Sequence, residues 1–463
     1  MARARLGVAV IAAAVGLWWW GRSGPTATTA TVHVKLAPGV HALATGAALA
    51  GVTVDDRPLF SRGPVALTAA RGLALAHAPA TGPAVPDLTA WRRLTVRGSR
   101  RAIAAAVARL EARPDVEAAF IAPRPELAAI REPAGARADA CPIQTPSYLG
   151  RQGYLGPAPA GIDVAAAWAV PGGRGQAVRF ADIEHHWQLG HEDLPGERSK
   201  ELDPPRRRAF DAEHGTAVLG EIAAVDNTLG MTGIAPDVDR IVVASVSQRA
   251  PADAIERAAA ALRPGDVLLI ELHAIGPRNR FLPMEYWQDI YEVIALTTAR
   301  GVVVIEAAGN GAEDLDHPAY RGRLDRRTRD SGAIMVGAGA PAGPGWVDRS
   351  RLDFSNYGSR VDLQGWGRMV ATLAYGDLQR CTDRRRYTAV FSGTSSASPI
   401  VAGAALLIES IARTRTGRPL TPAALRALLV ATGSPQTSGP DGPAAQHIGP
   451  RPDLRRALAA LSP

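Results

Sequence analysis

From about residue 148 onward, this 463-residue sequence is predicted to be α/β, with a doubly wound, mostly parallel sheet. Three observations predict it. Short, largely apolar runs lie at 177–183, 240–247, 267–272, 302–307 and 333–338. Helical runs alternate with them at 214–224, 252–262, 284–300, 396–413, 422–432 and 452–461. Strands apolar on both faces and separated by helices belong in a sheet that is covered on both sides. The sites of such sheets lie at the carboxyl ends of the strands.

A small α+β unit precedes this region. Residues 31–36 alternate as a strand does, 94–96 suggest a second, and 116–122 a third. Between them, residues 101–113 place Ile103, Val107 and Leu110 on one helical face, and Pro114 stops the helix. Residues 123–140 mix Pro, Arg, Glu and Ala without periodicity, which predicts a linker. The expected division is therefore an export signal or N-terminal anchor at 1–30, the α+β unit at 31–125, a linker at 126–147 and the α/β domain at 148–463.

The export expectation rests on the first residues. Arg3 and Arg5 precede an apolar stretch at 6–20, shorter than the ~20 residues of a membrane-spanning helix. A secreted or extracytoplasmic protein is expected, with an uncleaved anchor, Trp18–Trp20 at the interface, as the alternative. Stable membrane insertion after processing is not expected. Export permits a Cys141–Cys381 disulfide, and two unpaired thiols are the equal alternative.

Composition narrows the class further. The chain is 46% hydrophobic and 21% charged, as a globular protein is. Its two cysteines exclude a disulfide-rich scaffold and lack the spacing of a zinc site. The net charge of +8 comes almost wholly from arginine, since Lys35 and Lys200 are the only lysines. Those arginines have no interleaved aromatics, so a nucleic-acid partner is not expected.

Four stretches carry chemistry. Phe180-Ala181-Asp182-Ile183-Glu184 ends an apolar strand, and His214-Gly215-Thr216 opens a helix. Ala307-Ala308-Gly309-Asn310-Gly311 runs out of a strand, and Gly393-Thr394-Ser395-Ser396-Ala397-Ser398-Pro399 opens a long apolar helix. A serine hydroxyl needs a base to remove its proton, and an imidazole needs a carboxylate to fix its tautomer. An asparagine amide and a helix-terminal N–H are suited to hold an oxyanion. Alone, each motif also reads as a cap or a turn.

Together, in the order Asp, His, Ser, they resemble the subtilisin-like serine peptidases (family S8), over nearly the whole chain after Tyr148. The resemblance implies Asp182 as the catalytic aspartate, His214 as base, Ser395 as nucleophile and Asn310 as oxyanion donor. It implies that 31–125 is an inhibitory propeptide removed autocatalytically. Polypeptide substrates and the chain's own propeptide are then its partners.

The match departs from the family at one place. A small residue and glycine usually follow the family aspartate, whereas Ile183 and Glu184 stand here. Glu184 is expected either near the site, altering its electrostatics, or on the solvated surface. The strand 267–276, by position, lines the S1 pocket, but Glu271-Leu272-His273-Ala274 is not the small, glycine-rich version, and the P1 preference stays open.

No cofactor is expected for the chemistry, and no metal ligand is assigned. Structural calcium occurs in the family, and Glu313-Asp314-Leu315-Asp316 is either a calcium loop or a solvated acidic one. His185, His186 and His191 with their acidic neighbours pose a metal-hydrolase alternative without regular ligand spacing. A catalytically inactive, peptide-binding relative is the remaining alternative. A sedolisin-like site is disfavoured by His214.

Overall fold

A computed structural model describes residues 28–43, 49, 51–77, 84–130, 141–203 and 212–461. Residues 1–27, expected to hold an export signal or anchor, and residues 131–140 of the expected linker lie outside the described residues.

The first unit is a four-stranded antiparallel sheet with helices. Its elements are β1 (Thr28–Leu36), β2 (Thr53–Pro58), α1 (Pro64–His77), β3 (Trp91–Gly98), α2 (Arg100–Glu111) and β4 (Val116–Ile121). The strand order is β2-β3-β1-β4. Helix α2 starts where the Ser99 side chain accepts from Ala102 N–H, and it buries Ile103, Ala106 and Leu110 against the sheet. A two-residue strand β5 (Glu126–Leu127) follows.

The second unit contains α3 (Val164–Trp168), β6 (Arg179–Glu184), β7 (Ser199–Glu201), α4 (Glu213–Ala223), β8 (Arg240–Ser245), α5 (Pro251–Ala259) and β9 (Val267–Ile270). It continues with β10 (Leu272–Ile275), β11 (Phe281–Pro283), α6 (Gln288–Ala299), β12 (Val303–Ala307), β13 (Ile334–Gly339) and β14 (Leu363–Trp366). It ends with β15 (Val370–Leu373), β16 (Gln379–Arg380), β17 (Arg386–Phe391), α7 (Thr394–Thr416), α8 (Pro422–Thr432) and α9 (Leu454–Ala460). Seven strands form one parallel sheet in the order β14-β13-β12-β9-β6-β8-β7. The chain leaves β6 toward one edge and returns through β9 toward the other, so the winding reverses between β6 and β9. A crevice at their carboxyl ends follows from that reversal.

Both faces are covered, as the unbroken apolar runs require. Phe180, Ile241, Leu269 and Ile305 face α4 and α7, while Ile183, Val242, Leu268 and Val304 face α5 and α6. Helix α7 is long and apolar enough to cross a membrane, but its apolar stretch is buried inside the protein, where it forms the central core helix.

The first unit packs on the α5/α6 face. Leu59, Phe60 and Trp91 join that core. His33 Nδ1 lies 2.7 Å from Asp289 Oδ2, Trp91 Nε1 donates to Glu292 at 2.9 Å, and Arg62 donates to Glu256 at 2.8 Å. Of these carboxylates, Asp289 sits in the first turn of α6, where the helix dipole favours negative charge.

Two local differences from the sequence reading matter for the site. The apolar run 267–272 is not one strand. It leaves the parallel sheet after Ile270, and β10 pairs antiparallel with β11 and β5 instead. The predicted helix at 284–300 begins only at Gln288, because Met284–Tyr286 forms a separate 3₁₀ turn after Pro283.

Candidate active site

Three of the four expected residues meet at the carboxyl edge of the sheet. Ser395 is the second residue of α7 and His214 the second of α4. Their helix starts converge, and Ser395 Oγ lies 2.9 Å from His214 Nε2. Asn310 follows β12 and accepts, through Oδ1, from the backbone N–H and hydroxyl of Thr394 at 2.9 Å each. Its Nδ2 is buried and makes no hydrogen bond among the described residues.

The acid on the imidazole is not Asp182. His214 Nδ1 is bonded to Glu184 Oε1. Asp182 instead accepts from Trp187 Nε1 at 2.7 Å. The strand explains the exchange. Asp182 and Glu184 lie two residues apart, on the same face as Phe180, toward α4 and α7. Asp182 pairs with Val243 and Leu269 inside the sheet, whereas Glu184 pairs only with Ser245, past the end of β9. A step of two residues is about 6.6 Å, and it carries the longer side chain to the open end where α4 begins.

The electrostatics agree with this arrangement. Burial, then the charge of Glu184, holds the Asp182 carboxyl well above its ordinary range, against the opposing effect of the Trp187 bond. Burial, with Glu184 and Asp182 nearby, does the same to Glu271. Burial thus favours the neutral form of Asp182 and of Glu271, and Glu184 is the carboxyl group bonded to the histidine. Phe391 packs edge-on against the His214 ring, with centroids 5.4 Å apart.

A stretch of the chain itself occupies the cleft. Glu126 and Leu127 pair antiparallel with His273 and Leu272. Ala128 N–H donates to Glu271 O at 3.2 Å, and Ile130 N–H donates to Ser392 O at 2.8 Å. Ala129 bridges Gly393. Between them, the Ala128 carbonyl oxygen accepts from Ser395 N–H at 3.2 Å and lies 2.6 Å from Ser395 Oγ. This approach requires Gly393, at φ 132°, since a Cβ there would meet the Ala128 oxygen at 2.2 Å.

The side chains weighed as metal ligands are engaged separately. His191 Nε2 bonds Arg386 O, His185 Nδ1 lies 3.3 Å from Ser247 Oγ, and Asp193 accepts from Met231 N–H. Among the described residues, no group of three or more His, Cys, Asp or Glu side chains is arranged to hold a metal ion. In the acidic loop, Glu313 meets the guanidiniums of Arg278 and Arg280, and Asp316 accepts from Ser359. Two guanidiniums thus face the acidic side of this loop. Cys141 and Cys381 form a disulfide.

The family model described as "Subtilase family" matches residues 191–448, more than half of the chain and a span that includes His214, Asn310 and Ser395. The chain is 30% identical over 292 residues to an intracellular serine protease of Paenibacillus polymyxa, covering 60% of this chain and 80% of that protein. It is 30% identical to an extracellular basic protease of Dichelobacter nodosus over 50% of this chain, though it spans only 37% of that protein. It is 29% identical to subtilisin BL of Lederbergia lenta, over 42% of this chain and 62% of that one. Fervidolysin of Fervidobacterium pennivorans, a keratinolytic enzyme related to subtilisin, shares the fold at a TM-score of 0.52 and 16% identity, covering 96% of this chain and 62% of its own. The chain belongs to the subtilase family and is a subtilisin-like serine peptidase.

Proposed function

We propose that this peptidase is a secreted endopeptidase made as a zymogen, that Glu184 completes its catalytic triad, and that it matures by cutting its own chain between Ala128 and Ala129. The observation that carries the reading is the Ala128 carbonyl, set against both the hydroxyl and the backbone N–H of Ser395.

Ser395 Oγ attacks the carbonyl carbon and passes its proton to His214 Nε2. Glu184 holds the Nδ1–H tautomer and stabilises the imidazolium. The oxyanion takes the Ser395 N–H and the otherwise unpartnered Asn310 Nδ2. On collapse, the C–N bond breaks and His214 returns the proton to the Ala129 nitrogen. Water then hydrolyses the acyl-enzyme by the same relay. Other polypeptides enter along β10 as residues 126–128 do.

The unit before the cut acts as the inhibitor, held by its packing on α5 and α6. The N-terminal charge and apolar pattern and the Cys141–Cys381 disulfide support export. No metal or cofactor takes part in the bond cleavage.

Ser395→Ala tests the reading. It folds, keeps its pro-unit and is not labelled by a fluorophosphonate. Normal processing and labelling of that variant would overturn it.

A further inference from the structure

Resting on that reading, we infer that His273 closes the S1 pocket, so the enzyme cuts after alanine or glycine and rejects larger P1 side chains.

Ala128 is fully buried, so its methyl group points into the protein. Its N–H is fixed on Glu271 O and its carbonyl on Ser395 N–H. Inward of it lies the gap between two walls. One is the 271–273 backbone. The other is the turn at 308–310, tied to the start of α7 through Asn310 Oδ1 and Thr394. A pocket for a larger side chain needs that gap open.

His273 spans it. Its Nδ1 accepts from Asn310 N–H at 3.2 Å, which joins the two walls by a hydrogen bond. The walls come close enough that a Cβ on Gly309 would stand 3.5 Å from His273 Cβ. The ring cannot swing aside easily. It is stacked on Phe281, centroids 3.9 Å apart and planes 7° from parallel, and only 2% of the residue is exposed. Burial, then the nearby His214, pushes the imidazole down to about 3, which favours the neutral ring that accepts at Nδ1. Moving it would break the hydrogen bond from the half-buried Asn310 N–H.

Two experiments read this out. In the full chain, Ala128→Gly is processed at the wild-type position, and Ala128→Phe keeps its pro-unit or is cut elsewhere. On the processed enzyme, peptides differing only at P1 show kcat/KM for Ala at least about 100-fold above that for Phe, the scale at which pocket volume discriminates. His273→Ala narrows that ratio at least about tenfold by raising cleavage after Phe. Efficient processing of Ala128→Phe between residues 128 and 129, or equal cleavage after Ala and Phe by the wild type, would overturn the proposal. An unchanged ratio in a folded, fluorophosphonate-labelled His273→Ala would overturn it too. Absence of labelling and of all peptide cleavage in the wild type would instead overturn the peptidase reading on which it rests.

Discussion

Trp187 Nε1 donates to Asp182 Oδ2 across 2.7 Å, and this bond holds the aspartate inside the sheet while Glu184 takes the histidine. The indole is the only hydrogen-bond donor on that carboxyl group from any side chain among the described residues. Trp187→Phe removes it and leaves a buried acid without its side-chain partner, at a cost of about 1–3 kcal/mol in unfolding free energy. Denaturant titration measures the loss. Turnover should change by less than about tenfold, since the bond does not touch His214.

Asn310 carries a buried amide whose Nδ2 makes no hydrogen bond among the described residues, and in the proposed mechanism it holds the oxyanion. Asn310→Ala therefore lowers kcat and leaves KM nearly unchanged. The fall should be about 10²–10³, the loss known for the oxyanion asparagine of subtilisin itself. Peptide hydrolysis by the processed enzyme measures it. If removal of the pro-unit stalls, the rate of that removal serves instead.

The disulfide joins the segment just after the proposed cut to the loop between β16 and β17. Cys141→Ser opens a 240-residue separation and should cost about 2–5 kcal/mol. Thermal unfolding with and without reductant checks it: reductant lowers the wild-type midpoint and leaves the variant unmoved.

Glu409, on α7, accepts from Leu420 N–H, and burial pushes its carboxyl up to about 8. The fold therefore favours its neutral form. The unfolded chain ionises first, above about 4.5, so this contribution to stability is full below that pH and is lost as pH rises toward 8. Glu409→Gln keeps the acceptor and does not titrate. Its stability relative to wild type should rise between about pH 5 and pH 8 and then level off, as chemical denaturation across that range would record.

How far these features were legible depends on what each one rests on. His214, Asn310 and Ser395 open helices or leave strands within short local motifs, so sequence pointed to them directly. Asp182 and Glu184 share one face of β6, and a period of two cannot rank them. The choice is made by where β9 ends, a tertiary fact, although two acids closing one apolar strand signal that both deserve weighing. The run 267–272 concealed a break because an apolar stretch looks the same on either side of a bend at Glu271. Strand β2, Thr-Val-Asp-Asp-Arg-Pro, lies at a sheet edge with most of its side chains out of the core, so it carried no apolar pattern. Residues 126–130 read as linker since their pairing partners, β10 on one side and residues 392–395 on the other, lie far away in sequence.

The central claim is that Glu184, and not Asp182, orients the catalytic histidine. It is tested most directly by the rate at which the full-length chain removes its own pro-unit. Glu184→Gln keeps the shape but presents the wrong partner to Nδ1–H, and should slow processing by about 10⁴, the scale of losing the tautomer-fixing carboxylate in a serine protease triad. Asp182→Asn should process within about tenfold of wild type. Near-normal processing of Glu184→Gln together with arrest of Asp182→Asn would contradict the assignment.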